Sequence, residues 1–387
     1  MRFFVHKSRF FKLIRLAALV LLIGLFAIGC DGAISRGWSG PLLNDGTVYV
    51  GTIKGDVIGF DNSTGDQKWE FTIGVIKGGG SSFACAGGSV STAMSIYSTP
   101  AVDNGVIYVG GYDGIVYAIR INDKFERQFP TDGNIGAIVG SPVIANNTLF
   151  VGSSDGKLYA VSLDTWEEKW VFETEDKIWA TPVVQDGVVY IGSSDHNLYV
   201  IDAESGQERW HFQAQGAILS TPLVTDSTVY IGSSDRKFYA IPIAQEGKEA
   251  QVFEGAGNWF WTQALAHDNV IYVGSLDHKL YALDANDITN KLDEFGTEGI
   301  ITTPPVLVSG KIVIGSGDHY LYVLNPIGSE SAKMVKTGDY DLGAPVLAPL
   351  GTDLENGIVY AHAQDGDHIL YAIDVITGYL WEQKTSE

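Results

Sequence analysis

Only two cysteines, Cys30 and Cys85, occur in 387 residues, so a disulfide framework is excluded as what holds the fold. Basic residues are also scarce: 25 Lys/Arg stand against 46 Asp/Glu, a formal net charge of −21 that argues against nucleic acid as a partner. We read that acidity as a solubilising surface. There is no Gly-rich phosphate loop, no His-Glu-x-x-His and no Cys-x-x-Cys, so nothing in the sequence points to nucleotide or zinc chemistry. With 45% hydrophobic residues, the chain also lacks the apolar-poor composition of a disordered protein. What it has is glycine and aromatics, 46 Gly with 9 Trp, 18 Tyr and 17 Phe, a mixture that favours short strands and tight turns over long helices.

The first fifteen residues hold five Lys/Arg and no acid, and residues 16–29 carry no charge. This pattern predicts an export signal, since fourteen residues fall short of the roughly 20 needed to span a bilayer. Ala27-Ile28-Gly29-Cys30 resembles a bacterial lipobox, with Ala27 where leucine is usual. The resemblance implies that residues 1–29 are a lipoprotein signal peptide and that Cys30 is the acylated N-terminus of the mature chain. Residues 30–37 would then form a short tether and 38–387 the folded domain. Cleavage would leave 20 basic against 46 acidic residues. Cys85 would have no intramolecular disulfide partner. Asp31 resembles the signal that retains some lipoproteins on the inner membrane. The expected location is the outer face of the cytoplasmic membrane, or the periplasm and outer membrane.

Beyond the signal the chain repeats itself. "VYIGSSDHNLYVID", from Val189, returns at Val229 as "VYIGSSDRKFYAI", and six further units carry the same phrase. Its tyrosine recurs at Tyr117, Tyr159, Tyr199, Tyr239, Tyr281, Tyr322 and Tyr371, with Ile58 in the first unit, mostly at steps of 40–42 residues. That period is the length of a four-stranded propeller blade. The expected fold is therefore all-β, an eight-bladed β-propeller of four-stranded antiparallel blades. Pro41, Pro100, Pro142, Pro182, Pro222 and Pro305, with Ala264 in unit six and Pro345 in unit eight, should mark the innermost strands, whose free edge tolerates a residue without an N–H. Asp113, Asp155, Asp195, Asp235, Asp277, Asp318 and Asp365 fall at the hairpin between second and third strands, where aspartate suits the turn.

After the third strand, "GFDNSTGDQKW", "VIDAESGQERW" and "AIDVITGYLW" each run through a turn to Trp69, Trp210 or Trp381, and Trp170 follows a different turn. These residues resemble the tryptophan-docking motif of the pyrroloquinoline-quinone (PQQ) propeller repeat family, over residues 38–383. Units two, five, six and seven lack the tryptophan, so other side chains must make their blade contacts. The family's dehydrogenases hold PQQ and calcium at the axis against a pair of adjacent cysteines. This chain has no such pair and almost no long insertions, which implies no cofactor and no catalysis. The family's other branch, the BamB-type lipoproteins of the outer-membrane β-barrel assembly machine, combines signal, cysteine, tether and propeller in the order seen here. The resemblance implies an envelope scaffold, monomeric within a complex, that binds envelope proteins and reaches the membrane through its lipid. A surface propeller that senses a small molecule or glycan is one alternative, and a PQQ-dependent dehydrogenase, which the missing cysteine pair disfavours, is the other.

His196, His278 and His319 follow turn aspartates on different units and are read as turn residues, too dispersed to share a metal ion. Asp365-Gly366-Asp367 is read as another turn. The Gly/Ser-rich insertion at 74–95 is expected to be a flexible flap, and residues 349–356 a lengthening of the first hairpin of unit eight. One position, three residues before each inner-strand proline, carries Trp38, Tyr97, Trp179 and Trp261 in four units, and Val139, Leu219, Thr302 and Leu342 in the others. Trp259 lies beside it. These five aromatics form the candidate partner-binding collar.

Overall fold

The computed structural model describes residues 39–73, 95–122, 126–244, 249–328, 331–363 and 369–384. Cys30, Trp38, Cys85, the insertion from 74 to 94 and the Asp365-Gly366-Asp367 turn lie outside them. The described chain forms eight four-stranded antiparallel sheets, each built from four strands consecutive in sequence and paired in order. This is the expected eight-bladed propeller.

Blade four shows how the sequence specifies the unit. Its second strand, Val188–Gly192, and most of its third, Asn197–Asp202, are buried, because neighbouring blades cover both faces of the sheet. These strands therefore read as unbroken apolar runs, whereas the outer strand Glu208–Gln213 is largely exposed and carries its apolar residues between polar ones. Asp186 and Gly187, at φ 51° and 73°, make the two-residue hairpin between the first strand, Val183–Gln185, and the second. The second strand ends in glycine because the next connector fills the space beside it: a Cβ on Gly192 would run into Ile218. Blade eight has His362 there instead, buried, with Nδ1 3.1 Å from the Ser39 carbonyl oxygen.

Among the described residues no strand is shared between blades, and side chains hold the seams. The indole N–H of Trp69 donates to the Ile121 carbonyl of blade two at 2.9 Å, and that of Trp170 to Ala203 of blade four at 3.1 Å. Trp381 closes the ring by donating to Asn62 of blade one at 3.1 Å, over a cluster that includes Val48, Phe60, Tyr360 and Leu370. Gly65 and Gly206 lie under Trp381 and Trp170, where a Cβ would meet the rings at 2.7 and 2.6 Å.

Where the docking tryptophan is lost, the structure identifies the substitutes. Blade two places Arg127 at that position, opposite Ala118, and the indole arrives from the other side of the seam. Trp166 of blade three, at φ 61° in the turn position that blades one and four fill with Gly65 and Gly206, packs over Tyr108 with ring centroids 6.1 Å apart and donates to the Gln128 carbonyl at 2.6 Å. In blade five the Gln251 amide donates to Asn286 O at 3.0 Å and accepts from Ile288 N–H at 2.9 Å. In blade six Asp293 accepts from Met334 N–H at 2.8 Å. Blade seven has Gly338 there, and Tyr379 of blade eight reaches back edge-on to Tyr340 and donates to Asp341 O at 2.5 Å.

The proline register holds through blade seven and fails in blade eight. The inner strand of that blade is Gly351–Asp353, so Leu350, preceded by Pro349, takes the expected place of Pro345. Two features set blade eight apart: the first hairpin spans Leu354 to Gly357 rather than two residues, and His362 stands where the second strands of the other blades carry glycine. Leu342, assigned to the collar position from sequence, is instead buried in the cluster between blades seven and eight, and Leu347 occupies that position.

Candidate partner-binding face

Strand polarity gathers on one face the turns between second and third strands, the connectors between blades, and both ends of the described chain. On this face the turn aspartates of blades four to seven, Asp195, Asp235, Asp277 and Asp318, staple two blades. The Tyr239 hydroxyl donates to Asp235 Oδ2 at 2.6 Å, Lys237 N–H to Oδ1 at 2.9 Å, and Gln215 N–H, from the connector of the preceding blade, to Oδ2 at 3.1 Å. Asp195 repeats the arrangement with Tyr199, Asn197 and Glu175, and Asp318 with Tyr322, Tyr320 and Glu298. Blade one has Lys54 and Ile58 at these two positions, so both partners are lost together.

Burial, and then the bond to the carboxylate, push the hydroxyls of Tyr159, Tyr199, Tyr239, Tyr281 and Tyr322 well above the ordinary tyrosine range. Asp113 and Asp318 diverge. Burial raises Asp113, and the donors Tyr117 and Ile115 offset this only in part. At Asp318 burial also pushes upward, but N–H donors from Glu298 and Tyr320 and the Ser316 and Tyr322 hydroxyls outweigh it and leave the carboxyl below its usual value. The Asp113 carboxylate thus holds its own turn, whereas that of Asp318 holds turn and connector together.

The collar residues lie on the connectors. Tyr97, Trp179 and Trp261 are each half-buried and follow blades one, three and five, alternating with Val139, Leu219 and Thr302. They share a face, and only Trp259 and Trp261 share a connector. Trp179 donates its indole N–H to Ser154 Oγ at 3.0 Å and lies under the Lys177 ammonium, 5.5 Å from the ring centre. Trp259 and Trp261 flank Phe260, which is buried against Phe238 and Tyr281 while both tryptophans stay partly exposed. Sequence reasoning missed Tyr112, which lies 5.1 Å from Tyr97 and is exposed. Its signal was a tyrosine at a turn position where blades three, four and five have serine.

His196, His278 and His319 are exposed, each on its own blade, at φ 78°, 72° and 81°. Among the described residues no group of three or more His, Cys, Asp or Glu is placed to hold a metal ion. Nor do the described residues just before the inner strands fit the calcium and quinone of the family's enzymes. Thr99 N–H donates to Ser141 Oγ and Ser141 N–H to Thr181 Oγ1, each at 2.9 Å, a chain of hydroxyls without the carboxylates a hard cation takes. Two surface grooves open at seams that lack a docking tryptophan. One, of about 650 Å3, lies beside Arg127, Pro130 and Trp166; the other, of about 430 Å3, lies beside Pro242, Gln251 and Asn286.

A family model described as outer membrane protein assembly factor BamB matches residues 32–172 and 166–383. Among solved structures, the crystal structure of BamB from Moraxella catarrhalis is similar with a TM-score of 0.66 at 17% identity, over 85% of this chain and 92% of that one. The computationally designed Ika8 protein is similar with a TM-score of 0.69 at 18% identity, over 87% of this chain and 96% of that one. At these identities the likeness is one of fold. No curated protein sequence matches the chain.

Proposed function

The chain belongs to the family of the outer membrane protein assembly factor BamB, and on that premise we propose that it is a non-catalytic, exported propeller, held at the membrane by an acylated Cys30, that serves as an interaction scaffold in outer-membrane protein assembly. The observation that carries this reading is the aromatic collar. Tyr97, Trp179, Trp259 and Trp261 keep part of their surface open on connectors that the buried Ile96, Ile178 and Phe260 fix to the blades. Large rings with polar tips on a rigid support lose little entropy when covered, which suits them to anchor another envelope protein. Trp38 would extend the collar. A tether of residues 30–37 reaches about 25 Å at about 3.3 Å per residue, so the partner is also membrane-proximal.

The test combines Trp179→Ala with Trp261→Ala and measures cross-linked partner recovered from solubilised membranes per folded molecule. We expect a fall of about tenfold, equivalent to about 1.4 kcal/mol. A large loss of thermal stability with undiminished recovery would make the collar a packing feature and end the docking idea. Cys30→Ser tests the anchor separately, since it should release the protein from membranes.

A further inference from the structure

The opposite face carries a second feature, at the end of blade eight. There each blade's first hairpin and its turn between third and fourth strands lie side by side, as in blade eight, where Val375 N–H donates to Gly357 O at 3.1 Å. The repeat supplies its own baseline for these turns. Two residues after the third-strand Asp or Ser, blades one, three and four have Ser63, Asp164 and Glu204, and blade eight has Ile376. Immediately before the docking tryptophan they have Lys68, Lys169 and Arg209, and blade eight has Leu380. Its first hairpin adds Leu354. Leu354 is 66% exposed, Ile376 64% and Leu380 47%, so none of the three is serving the core.

The exchange at Leu380 also removes a charge. Lys68 pairs with Asp61, and Arg209 with Asp202 at 2.7 Å, each cation lying over its own turn. Asp374 is the matching acid in blade eight. Its carboxylate accepts N–H bonds from Ile376 and Thr377, and among the described residues it has no ion-pair partner. Glu355 is exposed on the adjoining hairpin. The surface is thus apolar at its centre, acidic at its edge, and lacks the cation that blades one and four supply from within.

We propose that this end of blade eight is a second docking surface, and that its occupant is a protein segment alternating apolar and basic residues, whose Lys or Arg takes over Asp374 while its apolar side chains cover Leu354, Ile376 and Leu380. Charge complementarity selects this occupant over an acidic or purely apolar one. The surface lies on the face away from the collar, so the two sites can be engaged together.

The test uses Ile376→Ser with Leu380→Lys, which restores the residues of blade one, and a short fluorescent peptide alternating Lys and Leu, with a Glu/Leu peptide as control. Anisotropy titration should show saturable binding of the Lys/Leu peptide, weakened about tenfold in the double variant, equivalent to about 1.4 kcal/mol, and no binding of the control. The melting temperature should be unchanged or higher, since the introduced cation can pair with Asp374. Leu354→Ser, measured alongside, should also weaken the peptide and keeps the idea testable should the double variant fail to fold. Equal affinity for native and variant proteins would mean that the peptide senses only net charge, and the proposal falls. It falls too if sedimentation shows a dimer of the native protein that the double variant abolishes, because the occupant is then a second copy.

Discussion

Removing Trp381 should weaken the one seam that no peptide connection reinforces. Every other pair of neighbouring blades is joined by a connector, whereas blades eight and one are in contact without one and, among the described residues, exchange no strand. Trp381→Ala deletes the bond to Asn62 O, the packing against Tyr360 at 6.0 Å, and the cover over Gly65. The indole is half-buried, so the cost should be about 2–4 kcal/mol, toward the lower part of the range for a buried Trp→Ala change. With about 2.1 cal/mol/K of unfolding entropy per residue over a propeller of about 350 residues, that corresponds to a drop of about 3–5 °C in Tm. Trp69→Ala is the control, because Trp69 bonds Ile121 O at 2.9 Å and meets Tyr49 at 5.7 Å in a seam that a connector does cross. Denaturant unfolding should show similar losses for the two, with a reduced slope and early protease cleavage at the chain ends only for Trp381→Ala, as blade eight frees itself from blade one. Identical slopes and identical protection of the ends would refute the claim that this indole is the closing latch.

Two further outcomes follow from the same geometry. Gly206→Ala and Gly187→Ala both place a side chain at left-handed φ, 71° and 73°, but only the first drives a Cβ into the Trp170 ring; Gly187 has nothing within 4 Å. Gly187→Ala should cost about 1 kcal/mol from backbone strain and Gly206→Ala about 2–4 kcal/mol, and equal losses in chemical denaturation would contradict the role given to Trp170. Asp113→Asn and Asp318→Asn should diverge with pH. Asp113 has its folded value raised, chiefly by burial, so its carboxyl contributes fully below the unfolded value and loses that contribution as pH rises; the Asn variant gains on the native protein. Asp318 has its value lowered, so its contribution is present above the unfolded value and disappears as pH falls; that Asn variant is worst at neutral pH. Melting curves between about pH 3 and 6, spanning the ordinary aspartate value of about 3.9, should show slopes of opposite sign, and parallel slopes would be against this account.

The blade was legible in the sequence because each unit solves the same local problem. Apolar runs such as Val188–Gly192 are covered on both faces, an edge strand accepts Pro182, and Asp195 bonds Tyr199 four residues on, so the same letters recur at the same spacing. The collar positions were legible for the same reason on the six described connectors that keep this spacing, from Tyr97 to Thr302. What crosses a seam was not, because it joins residues of different units and any side chain of suitable reach can do it. Nothing local marks Trp166 as the substitute for the tryptophan missing from blade two, or Gln251 and Asp293 as partners of the next blade's turn. Blade eight departs furthest from the repeat. Its longer hairpin and His362 shifted the apparent register, and only strand pairing showed that Leu350, and not Pro345, precedes its inner strand. Its exposed Leu354, Ile376 and Leu380 are ordinary residues in a linear reading; they become a surface only when the fold places hairpin and turn side by side.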